Sequence, residues 1–251
     1  MKFSYSAVWA DVMALLRTHA SLIATVAGVF IFLPGLLVAY FLPQPQTQEL
    51  ARIGEVWVEY ARLNWPWMLL NSLFNIVGSI AILRLIFERG VTVGAAIAGA
   101  LALFVPYFLT SLLSSVLIGL GFILLILPGA YLLGRLSPVT AIVVAERRRN
   151  PIDALKRCFE LTKGHGWAVL GLLLLVAIPA SIAIRVATML LGILFVLVAG
   201  QDLGDLLVLI VRTAGAAALA ALMLVLNAAI YRQLSQSRPE AAAAAAADPG
   251  P

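Results

Sequence analysis

The sequence predicts an all-α membrane protein, a helical bundle of about six transmembrane helices with amphipathic helices at the membrane interface. Of its 251 residues, 63% are hydrophobic and only 12% are charged, and the mean hydropathy is +1.03. Soluble domains have roughly 45–50% apolar and about 25% charged residues. A water-soluble fold could not bury this much apolar surface. The expected solvent is therefore lipid.

The apolar residues occur in runs that match the thickness of a bilayer, since a spanning helix needs about 20 of them. Residues 93–145 carry a single charge, Arg135. Their number fits two helices, with a reversal near Gly119 and Gly121. The six predicted spans are residues 21–42, 66–87, 102–120, 122–144, 167–185 and 203–231.

The segment at residues 186–199 is apolar but follows Pro179 and Arg185. Two full spans do not fit comfortably between residues 167 and 200. A seventh span would also move Arg232 and Arg238 to the opposite side of the membrane. We therefore expect residues 186–199 to lie in the outer interface or to re-enter the membrane.

Six spans place both termini on one side of the membrane, and the charges indicate which side. Eleven basic residues fall on the side of the termini, and only Arg52 and Arg62 fall on the other. Cytoplasmic loops carry such an excess of Lys and Arg, so the termini are predicted to be cytoplasmic. The eleven are Lys2, Arg17, Arg89, Arg147, Arg148, Arg149, Lys156, Arg157, Lys163, Arg232 and Arg238.

The most basic stretch, residues 145–167, contains a predicted amphipathic helix at residues 150–163. Asn150 suits the N-cap, Pro151 suits the first helical position and Gly164 suits the C-terminal stop. At about 100° per residue, the charged side chains share one arc and the apolar ones fill the opposite half. We expect this helix to lie in the cytoplasmic interface with its basic side chains facing anionic lipid headgroups. Those basic residues are Lys156, Arg157 and Lys163.

Two further segments show the same amphipathic pattern, residues 4–18 near the N-terminus and residues 47–63 on the outer side. The Ala-rich stretch at the C-terminus has low complexity and is expected to be disordered. The chain is thus divided into a six-span transmembrane domain, residues 1–234, and a disordered cytoplasmic tail, residues 235–251.

Residues 127–175 contain a series of motifs: Pro-Gly within a span, Arg-Leu further on, an acidic residue at its end, an Ala-Leu helix and then Leu-Thr-Lys-Gly. The residues of this pattern are Pro128, Gly129, Tyr131, Arg135, Leu136, Glu146, Pro151, Ala154, Leu155, Leu161, Thr162, Lys163 and Gly164. The stretch resembles bacterial integral-membrane families related to the membrane domain of glycerophosphoryl diester phosphodiesterases, although Cys158 stands where Ser is expected. The resemblance implies a fold of this kind in a bacterial cytoplasmic membrane. It does not carry over hydrolase activity, because the spans, interfacial helices and tail leave no residues for the catalytic domain.

Arginines inside spans are the strongest candidates for function, because charge is costly in the membrane. Arg84 lies four residues before Glu88, near the end of its span, and its long side chain can extend to the membrane interface, which favours a structural role. Arg185 and Arg212 lie toward the outer side, where Asp202 and Asp205 are plausible partners.

Arg135 lies about 16 Å from Glu146 along a helix, near the middle of the membrane. One interpretation is packing, in which Arg135 bonds carbonyls freed by Pro128 and Pro138 or the side chains of Asn71, Asn75 or Asn227. The alternative is a binding site for an anion or lipid headgroup, formed by Arg135, Arg185 and Arg212.

No pattern indicates catalysis, a cofactor or a metal site. His19 and His165 have no second ligand nearby in sequence, no span has a carboxylate near its centre, and the single Cys158 cannot form an internal disulfide. The basic residues lie beside apolar runs, which favours membrane lipids over nucleic acid as partners.

Three functional hypotheses remain open. The first is a non-enzymatic inner-membrane protein that supports envelope or lipid organisation. The second is a transporter or lipid-handling protein with an Arg-lined cavity within the membrane. The third is a membrane-bound regulator that docks through the helix at residues 150–163. A continuous polar cavity favours the second, and a sealed bundle favours the first or third.

Overall fold

The computed structural model describes residues 3–42, 45, 52–88 and 90–247. Within these residues the fold is all-α, as predicted, and six helical stretches are long and apolar enough to cross a membrane. The chain is therefore a multi-pass integral membrane protein. The helices are α1 (Tyr5–Ala27), which continues through a π-helical segment (Gly28–Phe32) into α2 (Leu33–Phe41), then α3 (Ile53–Phe87), α4 (Val93–Leu124), α5 (Ile126–Leu136), α6 (Val139–Ala145), α7 (Pro151–Leu161), α8 (Gly166–Ala199) and α9 (Gln201–Ala247).

The ends of α7 and α8 follow local backbone chemistry. The side chain of Asn150 accepts a hydrogen bond from the backbone N–H of Ile152 at 3.0 Å, and Pro151 occupies the first turn of α7. Gly164 and Gly200 have φ angles of +82° and +79°, a region that L side chains rarely adopt. The predicted cap, first residue and stop of α7 are confirmed, and Gly200 separates α8 from α9.

The reversal inside the apolar run at residues 93–145 comes later than predicted. α4 continues past Gly119 and Gly121 to Leu124, and the chain turns at Leu125, which has extended φ and ψ of −163° and 152°. The predicted fourth span is also divided, because α5 ends at Leu136 and α6 begins after Pro138. Pro138 lacks the N–H that would continue the helix.

Residues 186–199 form neither a separate interfacial segment nor a re-entrant one, so that expectation was wrong. α8 is a single helix of 34 residues with Pro179 inside it. The helix continues because these residues pack against α9 along its length. A Cβ at Gly204 would lie 2.8 Å from the Cα of Val196, and one at Gly192 would lie 3.2 Å from Val208. Glycines on both helices therefore permit close approach.

Two of the three amphipathic segments are parts of longer helices rather than separate ones. Residues 5–18 are the first half of α1, and residues 53–63 begin α3, whereas residues 47–51 lie outside the described residues. The last helix, α9, continues to Ala247 within the Ala-rich stretch, and residues 248–251 lie outside the described residues. Alanine has the highest helix propensity of all residues, which explains this extension. The expected disorder of the tail stays a prediction. The domain boundary at residue 235 remains a prediction.

The bundle has two distinct ends. At one end, the starts of α1 and α8 lie beside Gln233 of α9. The Phe3 and His165 rings are 6.1 Å apart there, and Gln233 donates a hydrogen bond to the Ser4 carbonyl. We call this the terminal end, and the other, at Gly200, the hairpin end. Most fully buried large side chains lie in the half nearer the terminal end, where α3, α6 and α9 meet. They include Ile80, Ile82, Leu83, Ile142, Val143, Leu226 and Ile230.

Candidate functional site

Arg135 joins the end of α5 to the end of α7. Its guanidinium donates to the carbonyl of Phe159, and its Nε donates to the hydroxyl oxygen of Thr162 at 3.3 Å. The guanidinium carbon lies 4.8 Å from the centroid of the Phe159 ring and 5.6 Å from that of Tyr131. Arg135 therefore satisfies an orphan carbonyl at the C-terminus of α7 and packs between two aromatic rings.

These contacts support the packing interpretation of Arg135, but with partners that the sequence did not suggest. Arg135 does not bond carbonyls freed by prolines or the asparagines proposed for it. Its thiol neighbour Cys158 donates a hydrogen bond to the Arg135 carbonyl at 3.1 Å, so both the backbone and the side chain of this residue hold α7. The contact between Arg135 and α7 depends on the bend near Pro138, which brings α7 back beside the end of α5. A local sequence pattern does not show such a bend.

The apolar face of α7 contacts protein rather than lipid. Ala154, Leu155, Cys158 and Leu161 are buried against α4, α5 and α6. The amphipathic pattern was interpreted correctly, but the surface that covers its apolar half is the bundle itself. Lys156 and Lys163 are exposed.

Arg157, the third basic residue of this helix, belongs to an ion-pair cluster around Glu146. The Glu146 carboxylate accepts bonds from Arg157 at 3.2 Å and from Arg148 at 2.6 Å, and it lies 3.3 Å from the Tyr231 hydroxyl. Burial alone raises the pKa of Glu146, but the two arginines outweigh it and hold the pKa below its ordinary value. Arg157 thus ties α7 to α6 and α9.

Arg84 forms an ion pair with Glu88, at 2.7 Å. It also donates to the carbonyls of Ala95 and Ala96 at 2.9 and 3.3 Å, and Arg147 lies 3.1 Å from the same Glu88 carboxylate. These contacts connect α3, α4 and the loop after α6. The role of Arg84 is structural.

Arg185 and Arg212 face a groove between α2, α8 and α9, toward the hairpin end. The groove has a volume of about 1200 Å³, and Asp205 also lines it. Arg185 shares its stripe of α8 with Ser181 and Thr188 at helical spacing. The structure therefore brings Arg185 and Arg212 together and places Arg135 elsewhere, beside α7.

The two groove arginines have no carboxylate partner among the described residues. Asp205 reaches the groove but forms no ion pair there, so the expected pairing with Asp202 and Asp205 was wrong. Asp202 lies in the first turn of α9, where the helix dipole favours a negative charge, and Asp205 follows one turn later. Arg185 and Arg212 are exposed, which leaves two cations in apolar surroundings.

The groove has a third wall that sequence reasoning missed. Gly35 and Ala39 of α2 line it, and a Cβ at Gly35 would meet nothing within 4 Å. The small side chains open space beside the arginines. The only signal in the sequence was the four-residue spacing of these two small residues, a spacing that Ala24 and Gly28 of the same span share. That spacing gives no information on which helix they face.

The hydroxyl groups of the groove are already satisfied by their own helices. Ser181 donates to the carbonyl of Ala177 at 2.6 Å, and Thr188 donates to that of Ile184 at 2.7 Å. The remaining lining is mostly apolar, including Met189 and Leu197, whose side chains are 69% and 78% exposed. The groove therefore offers guanidinium donors and an open apolar rim.

Each histidine has a contact within the protein. The His19 ring lies 3.2 Å from the carbonyl of Leu15, and the His165 ring contacts that of Phe3. No group of three or more His, Cys, Asp or Glu that could hold a metal ion occurs within the described part of the chain.

Comparison with protein-family models, with curated proteins and with solved structures finds no match to this chain. The groove and the Arg135 junction are therefore interpreted from their own chemistry.

Proposed function

We propose that this protein is a non-enzymatic lipid-handling protein that binds an anionic lipid in the groove between α2, α8 and α9. The observation that carries the proposal is the placement of Arg185 and Arg212, two exposed guanidinium groups without a carboxylate partner among the described residues, on facing stripes of one apolar groove. A charged side chain within a membrane marks a functional site by default, since a charge costs roughly 2.5–3.5 kcal/mol there.

A lipid fits this groove better than a small polar solute. Arginine guanidinium groups bind phosphate through several N–H donors in a fixed geometry. The rim residues Met189 and Leu197 are apolar and exposed, so they suit acyl chains. A transported ion or sugar would need polar groups along a path between the two membrane faces. The half of the bundle toward the terminal end is instead filled by buried apolar side chains.

The proposed location is a bacterial cytoplasmic membrane with both termini in the cytoplasm. Two arguments support it, the excess of basic residues on the side of the termini and the resemblance of residues 127–175 to bacterial inner-membrane families. In this orientation the hairpin end points to the periplasm, and the groove opens toward the outer leaflet.

A second candidate function, docking of a partner protein on α7, has a weaker basis. Lys156 and Lys163 are exposed, and the Ile152 side chain is 54% exposed. The rest of the apolar face is already buried. What remains is a small polar surface, which suits anionic headgroups better than a stable protein interface.

The lipid proposal can be tested with a photoactivatable phosphatidylglycerol whose acyl chain carries a diazirine. The full-length protein in proteoliposomes is irradiated, and the labelled peptides are mapped by mass spectrometry. We expect adducts concentrated on groove positions of α8 and α9, with weaker labelling by the matched phosphatidylcholine probe. An adduct map that is the same for both probes would contradict binding of an anionic headgroup.

A further inference from the structure

α5 runs alongside α8 in the same direction. Successive turns of α5 meet successive turns of α8: the Tyr131 and Trp167 rings lie 5.6 Å apart, and a Cβ at Gly134 would lie 2.8 Å from the Cβ of Leu170. Leu127, the second residue of α5, and Gly164, two residues before α8, line one cavity. The start of α5 therefore lies beside the start of α8, at the terminal end.

This direction conflicts with six alternating crossings. If every long apolar helix crossed the membrane, α4 would end and α5 would begin at the hairpin end, near Gly200. α8 has 34 residues and a length of about 51 Å. The turn at Leu125 would then lie on the opposite side of the membrane from Gly164. The ring contact between Tyr131 and Trp167 and the cavity shared by Leu127 and Gly164 exclude that arrangement.

The other end of α4 also lies at the terminal end. Arg84, one turn before the end of α3, donates to the carbonyl of Ala95 at 2.9 Å. The Phe87 ring lies 5.6 Å from the ring of Tyr231, close to the Gln233 that contacts Ser4. Hence both ends of α4 lie at the same end of the bundle. A helix of 32 residues can satisfy this only by lying across the bundle.

The segment that follows α5 returns to the terminal end as well. Glu146, which follows α6, lies 3.3 Å from the Tyr231 hydroxyl. The stretch Ile126–Ala145, although long and apolar enough to cross a membrane, therefore begins and ends on the same side. The bend at Ser137 and Pro138 makes this return possible.

We propose that residues 93–145 form a re-entrant unit that inserts into the leaflet at the terminal end and returns to the same face, so that only four helical stretches cross the membrane. Those four are Tyr5–Phe41, Gly54–Phe87, Gly166–Val198 and Gln201–Gln236.

The surface of this unit fits the acyl chains of one leaflet. The tip between α4 and α5 carries five consecutive apolar side chains that are 69–81% exposed. Exposed basic side chains lie on the same face, among them Arg147 and Lys163, and these suit the phosphates of that leaflet. The five tip residues are Ile123, Leu124, Leu125, Ile126 and Leu127.

The charge rule could not distinguish the two arrangements. The tip has no charged residue, so moving it from one face to the other leaves the count of basic residues unchanged. Both termini also remain on one side in either case, because four and six are both even numbers of crossings.

Crosslinking of full-length protein in native membranes tests the proposal. In a Cys158→Ser background, the pair Tyr131→Cys and Trp167→Cys is treated with a short bis-maleimide. Phe87→Cys with Tyr231→Cys serves as a positive control, since these residues are neighbours in both arrangements. We expect both pairs to crosslink within one molecule. A control that crosslinks while the 131–167 pair does not would overturn the proposal.

Sidedness labelling gives an independent measurement. Single-cysteine variants at Leu125, Arg149 and Asp202 are exposed to a membrane-impermeant maleimide from either side of spheroplast membranes. We expect that the maleimide added to the side that labels Asp202→Cys does not label Leu125→Cys. Labelling of Leu125→Cys together with Asp202→Cys would refute the re-entrant unit. Neither outcome depends on whether the groove binds lipid.

Discussion

Arg135 donates a hydrogen bond from Nε to the hydroxyl oxygen of Thr162 over 3.3 Å, although 27 residues separate the two. This bond fixes the end of α5 to the end of α7, close to the start of α8. The sequence placed Arg135 near the middle of the membrane, at considerable electrostatic cost. Its partners lie instead at the terminal end, where a guanidinium is easier to accommodate.

Replacing Arg135 by Ala should destabilise the protein without changing which lipids it retains. The change leaves the carbonyl of Phe159 without its donor and removes two ring contacts, which together contribute about 2–3 kcal/mol. The melting temperature in mild detergent should fall, while the phospholipids that copurify stay the same. Loss of a specific anionic lipid from Arg135→Ala would show that this residue is part of a binding site.

Gly134→Ala should destabilise the contact between α5 and α8. The added Cβ would overlap the carbonyl oxygen of Gly166 and would lie 2.8 Å from the Cβ of Leu170, and such overpacking costs about 1–3 kcal/mol. Gly119→Ala is the matched control, because a Cβ there meets nothing within 4 Å and alanine favours a helix. Thermal unfolding of both variants measures the difference. Equal stability of the two would mean that α5 and α8 are not in close contact.

The ion-pair cluster at Glu146 should make stability depend on pH. Because Arg148 and Arg157 hold the pKa of Glu146 below its ordinary value, the carboxylate stabilises the fold above about pH 5. That contribution is lost as the pH falls through the folded-state pKa. Glu146→Gln should lower the melting temperature at pH 7 and flatten its acid dependence. An acid dependence identical to that of the wild type would contradict this role.

Cys158 should be unreactive in the folded protein. Burial raises the pKa of its thiol to about 12, so very little of the reactive thiolate is present at pH 8. A small maleimide should label it only after unfolding in dodecyl sulfate, with a rate difference of at least about a hundredfold. Rapid labelling of the folded protein would show that α7 detaches from the bundle.

The fold class was predictable because length and hydropathy dominate it. A run of about 20 apolar residues has few options other than a buried or lipid-facing helix. The caps of α7 were equally clear, since Asn150, Pro151 and Gly164 act on the backbone next to them.

The surroundings of those helices could not be read from the sequence. The apolar face of α7 gives the same pattern whether lipid or protein covers it, and only the fold places α4, α5 and α6 there. The sequence analysis grouped Arg185 and Arg212 because both lie toward the outer ends of their spans, and it included Arg135, which the structure places elsewhere. The α2 wall at Gly35 and Ala39 was missed, because contacts between distant helices leave no local periodicity.

The most direct test of lipid binding is native mass spectrometry of the full-length protein titrated with phosphatidylglycerol or phosphatidylcholine. The double variant Arg185→Gln/Arg212→Gln is compared with the wild type and with the control Arg17→Gln/Arg149→Gln, which removes the same charge from exposed positions that do not line the groove. We predict that the wild type and the control bind phosphatidylglycerol more tightly than phosphatidylcholine. In the groove variant the ratio of the two affinities should fall at least about tenfold, or roughly 1.4 kcal/mol. An unchanged preference in the groove variant would contradict the proposed site.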